Sequence, residues 1–199
     1  MARLADPDLE DRILSAARRL LKSGGDHALT MRDLAHAART NTPAVYRRFR
    51  QRDDILRALL QRSRQEVFQK LQTASSVEEA CERYVDFAVS HPHEYELYYL
   101  HEYKLFYSDT TARGVTLNQV IKQKRPLVEF FKGRLAAQLG GVPDDYTHLT
   151  LAIWALVHGT ATLLIAKTIL PQHAAEMREA CRTSVETLLR EPGRLRAQA

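Results

Sequence analysis

Tyr46, Arg47, Arg48, Arg50 and Arg52 fall within one short run of the chain. Guanidinium groups hold phosphate oxygens through paired N–H contacts, and a tyrosine hydroxyl adds a neutral donor, so the cluster is equipped to grip a polyanionic backbone. The residues before it decide how it is presented. Thr30 and Asp33 have the spacing of a capping box, and Met31, Leu34, Ala35 and Ala38 recur at i, i+3, i+4 and i+7, an apolar helical stripe. Asn41 has the chemistry of a second N-cap, with Pro43 in the first turn, where a missing N–H costs little. The pattern predicts a helix-turn-helix whose second helix, Thr42 to Phe49, enters the major groove of duplex DNA.

Roles follow from side-chain chemistry. Tyr46, Arg48, Arg50 and Arg52 are expected to hold phosphates, joined by the Thr30 hydroxyl and the N–H groups of that helix start. Base reading falls to Thr40, Thr42, Ala44 and Arg47: a methyl group meets a thymine methyl, and Arg47 pairs with guanine O6 and N7. Which arginines read bases and which hold phosphates stays open. Val45 and Phe49 are expected to pack inward against Leu34 and Ile13.

Charge agrees with this assignment. Residues 1–64 hold 14 Lys/Arg and 8 Asp/Glu, a net of +6, and residues 65–199 hold 15 and 16, a net of −1, which together give the +5 of the whole chain. The basic excess lies entirely in the segment with the arginine cluster, the footprint of a nucleic-acid partner.

The run Leu34–Ala35, Ala37–Ala38 and Asn41–Thr42–Pro43–Ala44–Val45–Tyr46–Arg47–Arg48–Phe49–Arg50–Gln51–Arg52 resembles the signature of the tetracycline-repressor (TetR) family. Three positions depart from it. Arg39 stands at the family's turn glycine, so either it accepts a left-handed backbone at some cost or the turn takes another geometry. Arg52 stands at the family's phosphate-binding lysine, and Arg48 where histidine or tyrosine is frequent. The resemblance implies an all-α protein with an N-terminal three-helix, homeodomain-like unit over residues 1–53. A helical effector-binding and dimerisation body over 54–199 completes it. It adds Arg39, Asn41 and Pro43 to the DNA-binding set, and implies double-stranded operator DNA and a small-molecule effector as partners, with no cofactor.

The other elements read as helices. Asp6–Pro7–Asp8 is expected to cap the first, with Leu9, Ile13, Ala16, Ala17, Leu20 and Leu21 on its face and Gly24–Gly25 ending it. Asp53 and Asp54 are expected to cap a long helix carrying Ile55, Leu56, Leu59, Leu60, Val67 and Leu71. A further helix runs from Val77 to Ser90, broken by His91–Pro92, and residues 108–115 form a loop. Pro126 opens or kinks a helix through Leu127, Phe130, Phe131 and Leu135. Two apolar helices follow, one over about residues 145–170 and one through Ala175, Met177, Ala180, Cys181, Ser184, Val185 and Leu188. They either finish a monomer core or pair with a second copy. Trp154, His158 and Gly159 resemble the W-x-x-x-HG element of a TetR subgroup, which favours a homodimer through these two helices.

Aromatic residues concentrate between positions 84 and 107, where Tyr84, Phe87, Tyr95, Tyr98, Tyr99, Tyr103 and Phe106 are expected, with Trp154 and His158, to wall an effector pocket. His91, His93 and His101 lack a thiol or spaced acid to complete a ligand set, so no metal is expected. Cys81 and Cys181, 100 residues apart, read as reduced cysteines packed as small apolar residues. The apolar stretch Leu149–Ala166 approaches membrane-spanning length, but its Thr, His and Gly residues and its lack of basic flanks mark a buried helix. The charged N-terminus has no apolar h-region, so a cytoplasmic protein without membrane attachment is expected. A chain of 199 residues buries roughly 70% of its unfolded surface and needs no staple. No glycine-rich phosphate loop, HExxH, G-x-S-x-G or carboxylate pair supports catalysis. An all-helical interaction adaptor accounts for the apolar helices but leaves the basic cluster unexplained, and a ligand-dependent activator remains an alternative to a repressor.

Overall fold

A computed structural model describes residues 6–96 and 126–195, and every regular element among them is helical. The described chain forms two compact units, one from residues 6–66 and 91–96 and the other from 67–90 and 126–195.

The first unit opens with α1, Leu9–Gly24. The start lies later than the Asp6–Pro7–Asp8 pattern predicts: Asp6 accepts the Asp8 amide at 3.1 Å through its side chain, and that turn precedes the first helical residue. The end is as expected. Gly25 adopts φ 64°, its N–H donating to the Leu21 carbonyl at 2.8 Å, and a Cβ on Gly24 would lie 2.7 Å from that of Ala28. A short 3₁₀ turn, Asp26–Ala28, leads to α2, Met31–Ala37, and α3, Thr42–Arg48. The helix α4, Arg52–Gln72, then runs continuously from the first unit into the second.

One apolar cluster holds the first unit together. Ile13, Leu14, Ala17 and Leu21 of α1 meet Leu34 and Ala35 of α2, Val45 of α3, Phe49, and Ile55, Leu59 and Leu60 of α4. Val45 and Phe49 therefore face inward with Leu34 and Ile13, as their spacing predicts. Short helices such as α2 and α3 gain little from propensity alone, so this burial is what keeps them folded.

The second unit contains α5 (Val77–Ser90), α6 (Pro126–Leu139), α7 (Thr147–Ile165) and α8 (Ala174–Arg190). Packing of α7 against α5, α6 and α8 makes its core. The inward face of α6 is Val128, Lys132 and Leu135, whereas Phe130 and Phe131 are half-buried. Lys132 is fully buried and donates to Glu129 at 2.9 Å and Asp144 at 2.7 Å. Burial disfavours its charge, but those two carboxylates outweigh it and raise the pKa.

The α7 helix stops short of the expected residue 170. Lys167 takes φ 53° and its N–H bonds the Leu164 carbonyl at 3.2 Å, while Thr168 bonds Leu163, so the last carbonyls close on a left-handed turn. With its preceding turn, α7 is long and apolar enough to cross a membrane by length and composition. Leu149, Thr150, Ile153, Val157, Thr160 and Ala161 are buried inside the unit, while Ala155 and Thr162 are exposed and Trp154, His158 and Gly159 half-buried. On α8, Cys181, Val185 and Leu189 face inward, whereas Ala175 and Ala180 are exposed.

Candidate nucleic-acid interface

The geometry of the α2–α3 pair is set by caps and by one unusual turn. Thr30 accepts the Asp33 amide at 3.1 Å and its hydroxyl donates to the Asp33 carboxylate at 2.5 Å. Asn41 caps α3, its Oδ1 accepting the Ala44 amide at 2.9 Å, with proline in the first turn.

Between the helices, Arg39 adopts φ 53°, the left-handed region that favours glycine. Its N–H donates to the His36 carbonyl at 3.1 Å, and the Thr40 N–H to the Ala35 carbonyl at 2.9 Å, the paired bonds of a Schellman turn. Left-handed backbone costs a non-glycine residue about 1–2 kcal/mol. Two arginines of α1 support the turn: Arg19 donates to the Ala37 carbonyl at 3.0 Å and Arg12 Nε to the Ala38 carbonyl at 3.3 Å. The exposed end of α2 thus has its carbonyls covered, which offsets the strain at Arg39. Sequence reasoning passes over Arg12 and Arg19. Their seven-residue spacing places both on one face of α1, and that was the available signal.

The arginine cluster emerges around α3 with unequal freedom. Tyr46 is 51% exposed, and Asn41, Pro43, Arg47, Arg48 and Arg50 are also exposed. Thr40 and Thr42 are half-buried, and Ala44 is buried, leaving little of its methyl group for a base edge. Arg48 Nε lies 2.9 Å from Glu10 Oε2, a surface ion pair of small worth that a phosphate can displace. Arg52, at the start of α4, is half-buried and donates through Nε to the Leu29 carbonyl at 2.9 Å.

Behind this surface lies a polar network. Arg18 of α1 contacts Glu66 at 2.9 Å and Glu94 at 2.8 Å, and the Ser63 hydroxyl donates to Glu94. Burial works against the Arg18 charge, but Glu66 and Glu94 outweigh it and its pKa is raised.

The aromatic candidates divide. Tyr84 and Phe87 are buried on α5, and on α7 the rings of Trp154 and His158 stack at 5.6 Å and 24°. Tyr95 is buried in the first unit. Tyr98, Tyr99, Tyr103 and Phe106 lie outside the described residues, as does the expected 108–115 loop. Among the described residues no cluster of three or more metal-ligating side chains forms.

A capped helix pair over a buried stripe, with tyrosine and arginines exposed on the second helix, is the architecture of a helix-turn-helix regulator. Residues 13–59 match the model for bacterial regulatory proteins of the tetR family, and residues 77–191, more than half of the chain, match the tetracyclin repressor-like C-terminal domain. The chain belongs to the tetR family. Its fold is similar to that of a TetR-like transcriptional regulator from Rhodococcus sp. RHA1, at 18% identity and a TM-score of 0.62, covering 96% of this chain and 98% of that one. A protein with unknown function from the same organism is similar at 22% identity and a TM-score of 0.64, with the same coverage of 96% and 98%. A TetR variant from Acinetobacter baumannii AYE in complex with minocycline is similar at 19% identity and a TM-score of 0.59, covering 94% of this chain and 97% of that one. No curated protein matches the sequence.

Proposed function

We propose that the protein is a homodimeric, cytoplasmic transcriptional repressor that binds a palindromic operator and is released by a small-molecule effector. The observation that carries this reading is the exposure of Tyr46, Arg47, Arg48 and Arg50 around a capped α3, within the residues that match the family's DNA-binding region.

Each subunit places α3 in a major groove. Arg48, Arg50, Arg52 and Tyr46 hold phosphates, while Thr40, Thr42 and Arg47 read base edges. Two-fold symmetry sets the half-sites one helical turn, roughly 34–36 Å, or a multiple of it apart.

Homodimerisation uses the outward faces of α7 and α8. Ala155 and Ala180 are exposed there, and a Cβ on Gly159 would meet nothing within 4 Å. A glycine inside a helix costs about 1 kcal/mol relative to alanine, and close approach of a second copy accounts for it. Trp154, His158 and Gly159 give this body its likeness to the W-x-x-x-HG subgroup.

The effector enters the body, with Tyr84, Phe87, Trp154 and His158 of the second unit in its wall. One fold neighbour was solved with minocycline, which supports a small-molecule ligand. Release requires only that the effector bind better to the form that holds DNA poorly. The test is retention of operator DNA, found by selection from random duplexes, with and without metabolite extract. Retention that extract abolishes supports repression with release; retention that requires extract supports a corepressor or an activator instead.

A further inference from the structure

Acids at and just before the start of α1 each hold an arginine: Asp6 holds Arg12 at 2.7 Å, Asp11 holds Arg62 at 2.7 Å, and Glu10 holds Arg48 at 2.9 Å. Of these arginines, Arg12 belongs to α1 and Arg62 to α4, while Arg48 is the last residue of α3. Glu10 is therefore the acid that reaches the arginine cluster. The dipole of α1 does not require it, because Asp11 already places a negative charge in the first turn. Nor does burial force the pairing: the Arg48 and Glu10 side chains are 44% and 46% exposed, so a DNA phosphate can reach the same guanidinium.

Carboxylate and phosphate compete for one arginine here. Glu10 occupies the Nε side of the fork, part of an edge through which a guanidinium grips an oxyanion with two N–H groups. Either the phosphate displaces Glu10 and the ion pair is lost, or it takes the remaining edge and lies beside a like charge. Both routes weaken the contact with DNA.

We propose that Glu10 is an internal phosphate mimic that limits the DNA affinity of the α3 surface by competing for Arg48. The assignment rests on the DNA-binding reading and adds what sets its strength. Release by an effector gives such a restraint a use. An effector shifts an equilibrium only by its differential affinity for the two forms, so a complex held too tightly would not let go. Because the competition concerns a phosphate and not a base edge, it weakens operator and unrelated duplexes by the same factor.

The test measures binding of the full chain by fluorescence anisotropy over a range of salt. The probes are a duplex enriched by selection and an unrelated duplex of equal length. Glu10→Gln keeps the side-chain shape and removes the charge. It is expected to tighten binding to both duplexes about threefold per subunit, and so about tenfold for a dimer, the order of one surface ion pair each. The gain is expected to shrink as salt rises. With Arg48→Gln already in place, Glu10→Gln is expected to gain little. Glu10→Ala is expected to repeat the tightening, and thermal unfolding checks that every variant is folded. Equal affinities of the wild-type and Glu10→Gln chains, or a gain just as large in the Arg48→Gln background, overturns the proposal. In that case the wild-type chain still binds duplex; a wild-type chain that binds neither duplex at low salt contradicts the DNA-binding reading itself, and the proposal with it.

Discussion

Arg18 Nε lies 2.8 Å from Glu94 Oε1, joining α1 to the helical residues 92–96 across 76 residues of sequence. The Glu94 side chain is only 6% exposed, and Arg18 and the Ser63 hydroxyl are its partners. Removing one partner of such a pair strands the other. Because Arg18 retains some contact with water, Arg18→Met is expected to cost about 2–3 kcal/mol rather than the full buried-pair penalty. Glu94→Gln keeps an acceptor and is expected to cost less. Urea unfolding of the two variants checks the order; equal, negligible losses would mean that the network does not stabilise the unit.

The turn at Arg39 yields a second prediction. Glycine relieves the left-handed backbone but gains freedom in the unfolded chain, so Arg39→Gly is expected to stabilise the protein by about 0.5–1 kcal/mol. If Arg39 also touches phosphate, the same variant weakens DNA binding and lowers the salt slope by about one unit per contact. Thermal unfolding and salt-dependent binding measure the two effects separately.

How far the sequence reaches is clear from these positions. Caps and stripes at Thr30, Asn41, Leu34 and Val45 are local signals, and they were legible because helix geometry repeats every few residues. A left-handed Arg39 was one of two readings open at that turn, and its support was not legible, since Arg12 and Arg19 reach the turn only once α1 has packed. Arg18–Glu94 and Glu10–Arg48 depend on contacts between residues distant in sequence, which no periodicity encodes. Lys132 misleads in the opposite direction: a lysine reads as solvent-exposed until Glu129 and Asp144 are seen to enclose its ammonium group. The pocket wall stays a compositional reading because Tyr98, Tyr99 and Tyr103, three of its five tyrosines, lie outside the described residues.

The arginines of the α3 region differ in a testable way. Arg50 is exposed, whereas Arg52 also supports the Leu29 carbonyl. Arg50→Ala is expected to lower the salt slope by about one unit per subunit contact with stability unchanged. Arg52→Ala is expected to lower the slope similarly and to cost about 1 kcal/mol of stability. Arg47→Ala is expected to relax discrimination at one base pair by about 1–3 kcal/mol. A uniform loss across all sequences would move Arg47 into the phosphate set.

Pairing through α7 and α8 predicts that Ala180→Glu and Gly159→Leu give folded monomers, because neither position is enclosed by its own chain. Light scattering reads the mass and circular dichroism the fold. A dimer that persists in both variants places the interface elsewhere.

Acid sensitivity should be traceable to Glu79. Its carboxylate accepts from the Ser75 hydroxyl and amide at 2.6 Å each and from Arg83 at 2.6 Å, which lowers its pKa from 4.5 to about 2. The stabilisation is complete above pH 4.5 and is lost as pH falls through about 2. Glu79→Gln is expected to narrow its stability gap to the wild-type chain across that window; a gap independent of pH would remove Glu79 from the acid response.

Selection of the purified protein against random duplex DNA at moderate salt tests the central claim most directly. An enriched inverted repeat, with half-sites centred one helical turn or a multiple apart, is predicted. A folded protein that enriches no sequence, with or without metabolite extract, would contradict the account.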